Sequence, residues 1–279
     1  MTQPPAPWLL PVKIRTGCSF AVEVPEALCA EGGLLFGGWT MALVIEAAQL
    51  WSGLAVRGLS AQFLSPVTIG DRLEVVLTSS REGRRVSHGI MHAAVGGVPA
   101  FAAQVVLGSR ASGDGPSGPA TASGTAARPA WQLPPPAPPP EDCPPRTYRN
   151  RIPGSVADTI DVRLASPEPE PGVGAGGHSL LWARVLAGGS APARLGVLSD
   201  HVPYLIVRSL PGVRHATSVS ADLRVTGDPA GDWVLLDVEL AAADDDFCVG
   251  RVRQWSQAGD LVALSDQTVS LRYIGQSSA

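Results

Sequence analysis

The sequence lacks the short motifs by which several large enzyme classes are recognised. It contains no G-x-S-x-G, which argues against the α/β-hydrolase architecture with its serine nucleophile. No G-x-G-x-x-G comes directly after a predicted strand, so a dinucleotide is not expected. The four cysteines, at positions 18, 29, 143 and 248, form no C-x-x-C pair, which argues against a zinc site or a disulfide framework. The sequence therefore predicts no cofactor and no metal.

Strong charge and long hydrophobic runs are also missing. The net charge is −4, and Lys13 is the single lysine among 21 basic residues, so no basic field is available to hold a nucleic acid. No run of about 18 apolar residues occurs and the first eleven residues do not resemble a signal peptide. We therefore expect a cytoplasmic protein without a membrane span. Hydrophobic residues still make up 45%, enough for packed cores.

The chain contains an internal repeat with a period of about 160 residues. Four segments of the first half match four segments of the second half in the same order, and the last match aligns Gln104 with Gln267. The matched segments are 34–39 with 196–201, 59–63 with 219–223, 70–71 with 231–232, and 101–107 with 262–269. A repeat of this length predicts two similar folded units, and differences between the copies indicate where a functional site lies.

Each unit reads as one long helix followed by an antiparallel meander, which is an α+β pattern. A segment rich in Ala, Gly, Ser and Pro separates the units, so we predict an N-terminal domain over 1–108, a linker over 109–150 and a C-terminal domain over 151–279. Pro203 fits a helix only in its first turn, which places the start of the second helix near Ser199 and Asp200, either of which could be its N-cap. The predicted helices are 39–54 and 194–210, and the predicted strands are 59–64, 72–79, 86–95, 100–107, 161–164, 178–186, 213–226, 233–241, 247–257 and 261–273.

A long central helix wrapped by a curved antiparallel sheet, twice in one chain, is the layout of a double hotdog fold. The chain resembles the double-hotdog acyl-CoA thioesterases of the acyl-CoA thioesterase II type. The residues that carry the resemblance are Leu35-Phe36-Gly37-Gly38 at the first helix, the hairpin that begins at Arg81-Glu82-Gly83, Ser199-Asp200-His201, Ala216-Thr217, Trp233 and Gln267.

The resemblance implies that Asp200, Thr217 and Gln267 together position the water molecule that hydrolyses a thioester. A thioester needs no covalent nucleophile, because its carbonyl is electrophilic and CoA thiolate leaves readily. A carboxylate at a helix N-terminus can stay ionised and accept a proton from that water. Thr217 depends on strand register, since a shift by one residue would bring Ser218 to the site instead. Each of the three could instead have an ordinary structural role, Asp200 as an N-cap and Thr217 and Gln267 as strand residues.

The backbone of Gly37 and Gly38 could receive the thioester carbonyl, or it could simply form a tight turn with positive φ. Where the family commonly has a Gln after this pair, this chain has Trp39, which we predict contacts the acyl chain. The family's usual Asn after His201 is also replaced, by Val202. His201 could assist Asp200 or face solvent.

We expect an acyl-CoA or an acyl carrier protein thioester as substrate and a possible homo-oligomer. Two alternatives remain open. The first is a non-catalytic acyl-CoA-binding protein whose site has decayed. The second is an enoyl-thioester hydratase or dehydratase, although the adjacent Asp200 and His201 do not fit the D-x-N-P-x-H type signature of that class.

Overall fold

The computed structural model describes residues 19–30, 32–83, 85–108, 129–147, 152–169, 176–229 and 231–274. Within these residues, eleven strands form one continuous antiparallel sheet, and three α-helices pack against it. The helices are α1 (Gly37–Ser52), α2 (Ala191–Leu198) and α3 (Val202–Ser209). The strands are β1 (Ser19–Glu23), β2 (Ala55–Phe63), β3 (Arg72–Arg81), β4 (Val86–Val95), β5 (Val98–Gly108), β6 (Ile160–Leu164), β7 (His178–Val185), β8 (Val213–Val225), β9 (Val234–Ala243), β10 (Phe247–Ser256) and β11 (Leu261–Tyr273).

The strand order is symmetric about the middle of the sheet, except that β6 at one edge has no counterpart at the other. It runs β1-β3-β4-β5-β2 in the first half and β8-β11-β10-β9-β7-β6 in the second, with β2 paired to β8 at the centre. Ala61 lies opposite Ala221 in this central pair, and these are the two residues that the repeat aligns. The sequence repeat is therefore also a structural repeat, whose rotation axis passes between these two alanines.

Alternating hydrophobicity explains why the strands form where they do. In β3, for example, Leu73, Val75 and Leu77 are buried while their neighbours are exposed, the period of a sheet with one covered face. All ten strands predicted from the sequence are present, and the α+β class is confirmed. The short edge strand β1 was not predicted.

Helix α1 is apolar on nearly all sides, because it lies between the sheet and α2. It has no proline, and it ends at Gly53, whose φ of 68° is accessible to glycine at little cost. The predicted first helix is thus confirmed, with a start two residues earlier. None of the helices in the described part of the chain combines the length and the apolar composition needed to cross a lipid bilayer.

The second central helix is not continuous, which corrects the prediction of one helix over 194–210. Helix α2 ends at Leu198 and α3 begins at Val202. Pro203 causes the break, because it has no N–H to donate to the carbonyl of Ser199. That carbonyl accepts a hydrogen bond from Ser265 Oγ instead, at 3.4 Å. The predicted N-cap is wrong as well, because α2 is capped by Ser190 and α3 follows His201.

Polar side chains of α1 hold the N-terminus of α2. Glu46 Oε1 accepts the backbone N–H of Ser190 at 2.6 Å, and Gln49 Nε2 donates to Ser190 Oγ at 3.0 Å. Nearby, a Cβ on Gly196 would lie 2.8 Å from Ile45 Cδ1 and 3.2 Å from the backbone nitrogen of Ala42, so glycine favours the close approach of the helices. In a capping box, the carboxylate that accepts the N–H of the N-cap residue comes from the same helix. Here it comes from α1, so this contact joins the two halves at the N-terminus of α2.

Part of the predicted linker is packed. Residues 109–128 and 148–150 lie outside the described residues, but 129–147 contacts the second half on the face of the sheet away from the helices. Trp182 Nε1 donates to the carbonyl of Pro138 at 2.7 Å, and Cys143 is buried beside Trp182 and Leu180. Trp131 does not anchor this segment, since 73% of it is exposed.

We predict that Glu46→Ala lowers the stability of the fold by removing a contact between the two halves. The substitution leaves the Ser190 N–H without its acceptor and should cost about 1–2 kcal/mol, or a Tm about 2–6 °C lower. Thermal unfolding followed by circular dichroism measures the effect. Glu74→Ala, at an exposed position of β3, is the matched control. Equal Tm values for the two variants would show that the contact does not stabilise the fold.

Candidate active site

The carboxylate of Asp200 lies in the break between α2 and α3, against the N-terminus of α1. Asp200 is 7% exposed. Its Oδ2 accepts the backbone N–H of Gly38 at 3.0 Å, while its Oδ1 accepts Gln267 Nε2 at 2.6 Å and Ser218 Oγ at 3.1 Å. Asp200 therefore caps a helix, as its position in the sequence suggested, but the helix belongs to the other half of the chain.

Gln267 is held in one orientation by contacts at both ends of its amide. The side chain points from β11 toward the helices and is 2% exposed. Its Oε1 accepts the backbone N–H of Val202, the first residue of α3, at 3.2 Å, so Nε2 is the atom that faces Asp200. The structure thus brings together Asp200 and Gln267, two of the three residues predicted from the resemblance.

The third predicted residue, Thr217, does not reach the carboxylate, and Ser218 takes its place. Gln267 lies opposite Ala221, but two residues further along β11 the partner is Ser218, so Val219 is the extra residue of a β-bulge. Regular alternation from Ala221 would turn Thr217 inward. The bulge turns Ser218 inward instead and leaves Thr217 exposed. The sequence raised Ser218 as the alternative but carries no signal for the bulge.

Close packing, and not an unusual backbone conformation, requires the two glycines at the start of α1. Neither has a positive φ. A Cβ on Gly37 would lie 2.7 Å from Asp200 Oδ2, and one on Gly38 would lie 2.3 Å from the carbonyl oxygen of Val197. Both backbone N–H groups face Asp200, so in this structure they hold the carboxylate and not a substrate carbonyl.

Trp39, predicted to contact the acyl chain, is 1% exposed and belongs to the main hydrophobic core. It faces the interior because it lies on the packed side of α1. Two other aromatic side chains lie next to the glycines. A Cβ on Gly37 would lie 3.4 Å from Phe63 Cζ, and a Cβ on Gly38 would lie 2.7 Å from Phe36 Cε1. The repeat gave no indication of Phe63, since it matches Leu223 in the other half.

The environment of Asp200 perturbs its acidity. Burial raises the pKa of Asp200 above the usual aspartate value, and the hydrogen bonds from Gln267, Ser218, Gly38 and Gly37 act in the opposite direction. The site therefore holds a carboxylate of increased basicity.

His201 is buried and does not face solvent. Burial, together with the positive charge of Arg146, lowers its pKa to about 4, so the ring is neutral at neutral pH. Its Nδ1 lies 3.1 Å from the carbonyl oxygen of Leu198, which fixes the proton on Nδ1. In the described part of the chain, no three potential ligand side chains are close enough together to hold a metal ion.

The first half has no polar counterpart of this site. Because Ala61 and Ala221 are equivalent, the equivalent of Gln267 is Ala103, which lies opposite Ala61. The alignment of Gln104 with Gln267 is therefore wrong by one residue. Gln104 lies opposite Ser60 and is exposed on the outer face of the sheet.

The same register assigns Leu59 as the equivalent of Ser218, because Leu59 lies opposite Val105 as Ser218 lies opposite Val269. Gly38 occupies the position of Asp200 in the repeat. All three polar positions of the second half are thus apolar in the first, and the two halves share a single polar site.

We predict that Gly37→Ala lowers activity by displacing the carboxylate. The new methyl group would overlap Asp200 Oδ2, so kcat should fall by about 100-fold, the effect of moving a reacting group by about 1 Å. A steady-state assay of thioester hydrolysis, the activity that the resemblance implies, measures kcat. Gly227→Ala is the control, since its Cβ would make only an ordinary contact of 3.7 Å with Val262. An unchanged kcat in Gly37→Ala would contradict the placement of Asp200.

Comparisons with known proteins agree with this fold. The acyl-CoA thioesterase N-terminal domain family matches residues 24–108, and the acyl-CoA thioesterase C-terminal domain family matches residues 140–271. Among solved structures, a candidate thioesterase from Novosphingobium aromaticivorans is 29% identical, with a TM-score of 0.77, over 95% of this chain and 100% of that one. No curated protein matches the chain significantly.

Two further structures are similar in fold. A protein with a hot dog fold from Alicyclobacillus acidocaldarius is 20% identical with a TM-score of 0.75, covering 92% of this chain and 94% of that one. The tesB protein of Mycobacterium avium subsp. paratuberculosis is 16% identical with a TM-score of 0.70, covering 92% and 95%. Because the two domain families together account for most of the sequence, the chain belongs to the double-hotdog acyl-CoA thioesterases and is a thioester hydrolase.

Proposed function

We propose that Asp200, assisted by Ser218 and Gln267, activates a water molecule that hydrolyses an acyl-CoA thioester in a site shared by two hotdog modules. The observation that carries this proposal is the contact of one buried carboxylate with Ser218, Gln267 and the N-terminus of α1. It replaces Thr217 of the family pattern by Ser218.

The hydrogen bonds of Asp200 suggest how substrate and water enter. Oδ1 already accepts two hydrogen bonds, Oδ2 accepts the Gly38 N–H, and the Gly37 N–H also acts on the carboxylate, so few acceptor positions remain for a water. Gly37 is only half-buried, unlike Gly38. We infer that the thioester carbonyl takes the Gly37 N–H, which frees Oδ2 to bind the attacking water.

The reaction then proceeds in two steps. The water oxygen bonds to the carbonyl carbon while Asp200 accepts its proton, and the charge that develops on the carbonyl oxygen lies at the positive end of α1. The tetrahedral intermediate collapses by breaking the C–S bond. The CoA thiolate leaves and takes the proton from Asp200, which restores the carboxylate.

No observation favours the hydratase alternative, because His201 is buried and bonded to the Leu198 carbonyl instead of being paired with Asp200. The use of CoA or a carrier protein, the cytoplasmic location, the domain boundaries and a homo-oligomeric state stay predictions from the sequence.

We expect a substitution to lower activity only where the replaced residue is Asp200 itself or contacts its carboxylate. In an assay of thiol release from acyl-CoA, Asp200→Asn should lower kcat by about 1,000-fold and Ser218→Ala by about 10- to 100-fold, as general-base and orienting groups do. Thr217→Ala is the matched control and should stay within about twofold of wild type. If Thr217→Ala impairs the enzyme as much as Ser218→Ala, the assignment of Ser218 fails.

The pH profile should reflect the raised pKa of Asp200. Since the base must be ionised, kcat/KM should rise with pH along an acid limb that lies above the ordinary aspartate value of 3.8. Ser218→Ala removes a hydrogen bond that favours the ionised form, so the limb should move to higher pH. Rates between about pH 4 and pH 9 test this expectation. A limb that stays in place in Ser218→Ala would contradict it.

A further inference from the structure

Phe63 forms an apolar wall beside the Asp200 carboxylate and keeps part of its surface exposed. The position of a Cβ on Gly37 would be 2.7 Å from Asp200 Oδ2 and 3.4 Å from Phe63 Cζ. These distances limit the separation between the oxygen and the ring carbon to about 6 Å. Gly37 and Phe63 are both half-buried, so each keeps some surface that solvent can reach.

The position of Phe63 at the end of β2 places it at the seam between the two halves. Gln62 is the last residue of β2 paired with β8, where it lies opposite Ser220. Phe63 therefore ends its strand alongside the bulge that turns Ser218 toward Asp200. Gly37 and Phe63 from the first half and Asp200 and Ser218 from the second thus lie close together at this seam.

If the thioester carbonyl takes the Gly37 N–H, the first carbons of its acyl chain lie at the Phe63 ring. An aromatic ring favours methylene groups and cannot solvate an anion, and the nearby Asp200 carboxylate repels one. Oδ2 and Cζ are at most about 6 Å apart, less than the roughly 7 Å that one carbon in contact with both would need, so the acyl carbons must pass along the edge of this gap, where a branch would be crowded.

We propose that Phe63 is a specificity-determining residue that contacts the first carbons of the acyl group. It selects thioesters whose carbons next to the carbonyl are apolar and unbranched, and it disfavours those with a branch or a carboxylate there. This proposal rests on the proposed hydrolysis at Asp200. It also gives the first half, which lacks the polar residues, a direct role in substrate choice.

The test compares kcat/KM for hexanoyl-, isobutyryl- and succinyl-CoA in wild type, Phe63→Ala and Leu64→Ala. We expect wild type to prefer hexanoyl-CoA over both others by at least about tenfold. In Phe63→Ala, kcat/KM for hexanoyl-CoA should fall by about tenfold and the preference should shrink to about twofold. Leu64 is 52% exposed and adjacent, so Leu64→Ala should leave the preference unchanged.

Phe63→Leu is the second variant, in case Phe63→Ala does not fold. It should keep the preference against succinyl-CoA, because leucine is apolar, and accept isobutyryl-CoA better than wild type does. An active, Asp200-dependent enzyme whose preferences are the same in wild type and in the folded Phe63 variants would overturn this proposal alone. A wild type that releases no thiol, or an Asp200→Asn variant with full activity, would overturn the proposed function together with it.

Discussion

The hydrogen bond between Asp200 and the backbone of Gly38 is the contact on which the rest of the site depends. It joins a carboxylate of the second half to the helix N-terminus of the first half, at the positions that the repeat aligns. A helix N-terminus offers unpaired N–H groups and a partial positive charge, and a carboxylate satisfies both. One interaction thus caps α1, fixes the acidic group and links the two halves at the site, in addition to the β2–β8 pair.

Several unusual local features are explained by this contact. The two glycines at the start of α1 leave room for the carboxylate and for the carbonyl of Val197. Pro203 interrupts the second central helix, which places Asp200 between α2 and α3 instead of inside a regular helix. The bulge at Val219 turns Ser218 to the carboxylate. Each feature would lower the stability of an isolated helix or strand, and each is explained by a contact that forms when the two halves pack together.

Most of the fold could be predicted from the sequence, because alternating hydrophobicity and turn residues show where strands begin and end. The features that escaped prediction depend on contacts between distant segments. The resemblance indicates Thr217, and a β-bulge leaves no trace in hydrophobic alternation that could decide for Ser218. Pro203 correctly indicates a helix start, that of α3, but the separate helix α2 before it was missed, although Ser190 with Pro192 in the first turn is an N-terminal signal. Gln104 and Gln267 aligned in sequence but face opposite sides of the sheet.

The asymmetry between the copies follows from their shared use of one site. The second half supplies Asp200, Ser218 and Gln267, and the first half supplies the helix end and the apolar wall at Phe63. The most direct test of this arrangement is a crystal structure with a non-hydrolysable acyl-CoA analogue in which a ketone replaces the thioester. We predict the carbonyl oxygen on the Gly37 N–H, with a water on Asp200 about 3–3.5 Å from the carbonyl carbon. A carbonyl bound elsewhere, for example beside Leu59 and Ala103, would contradict the single shared site.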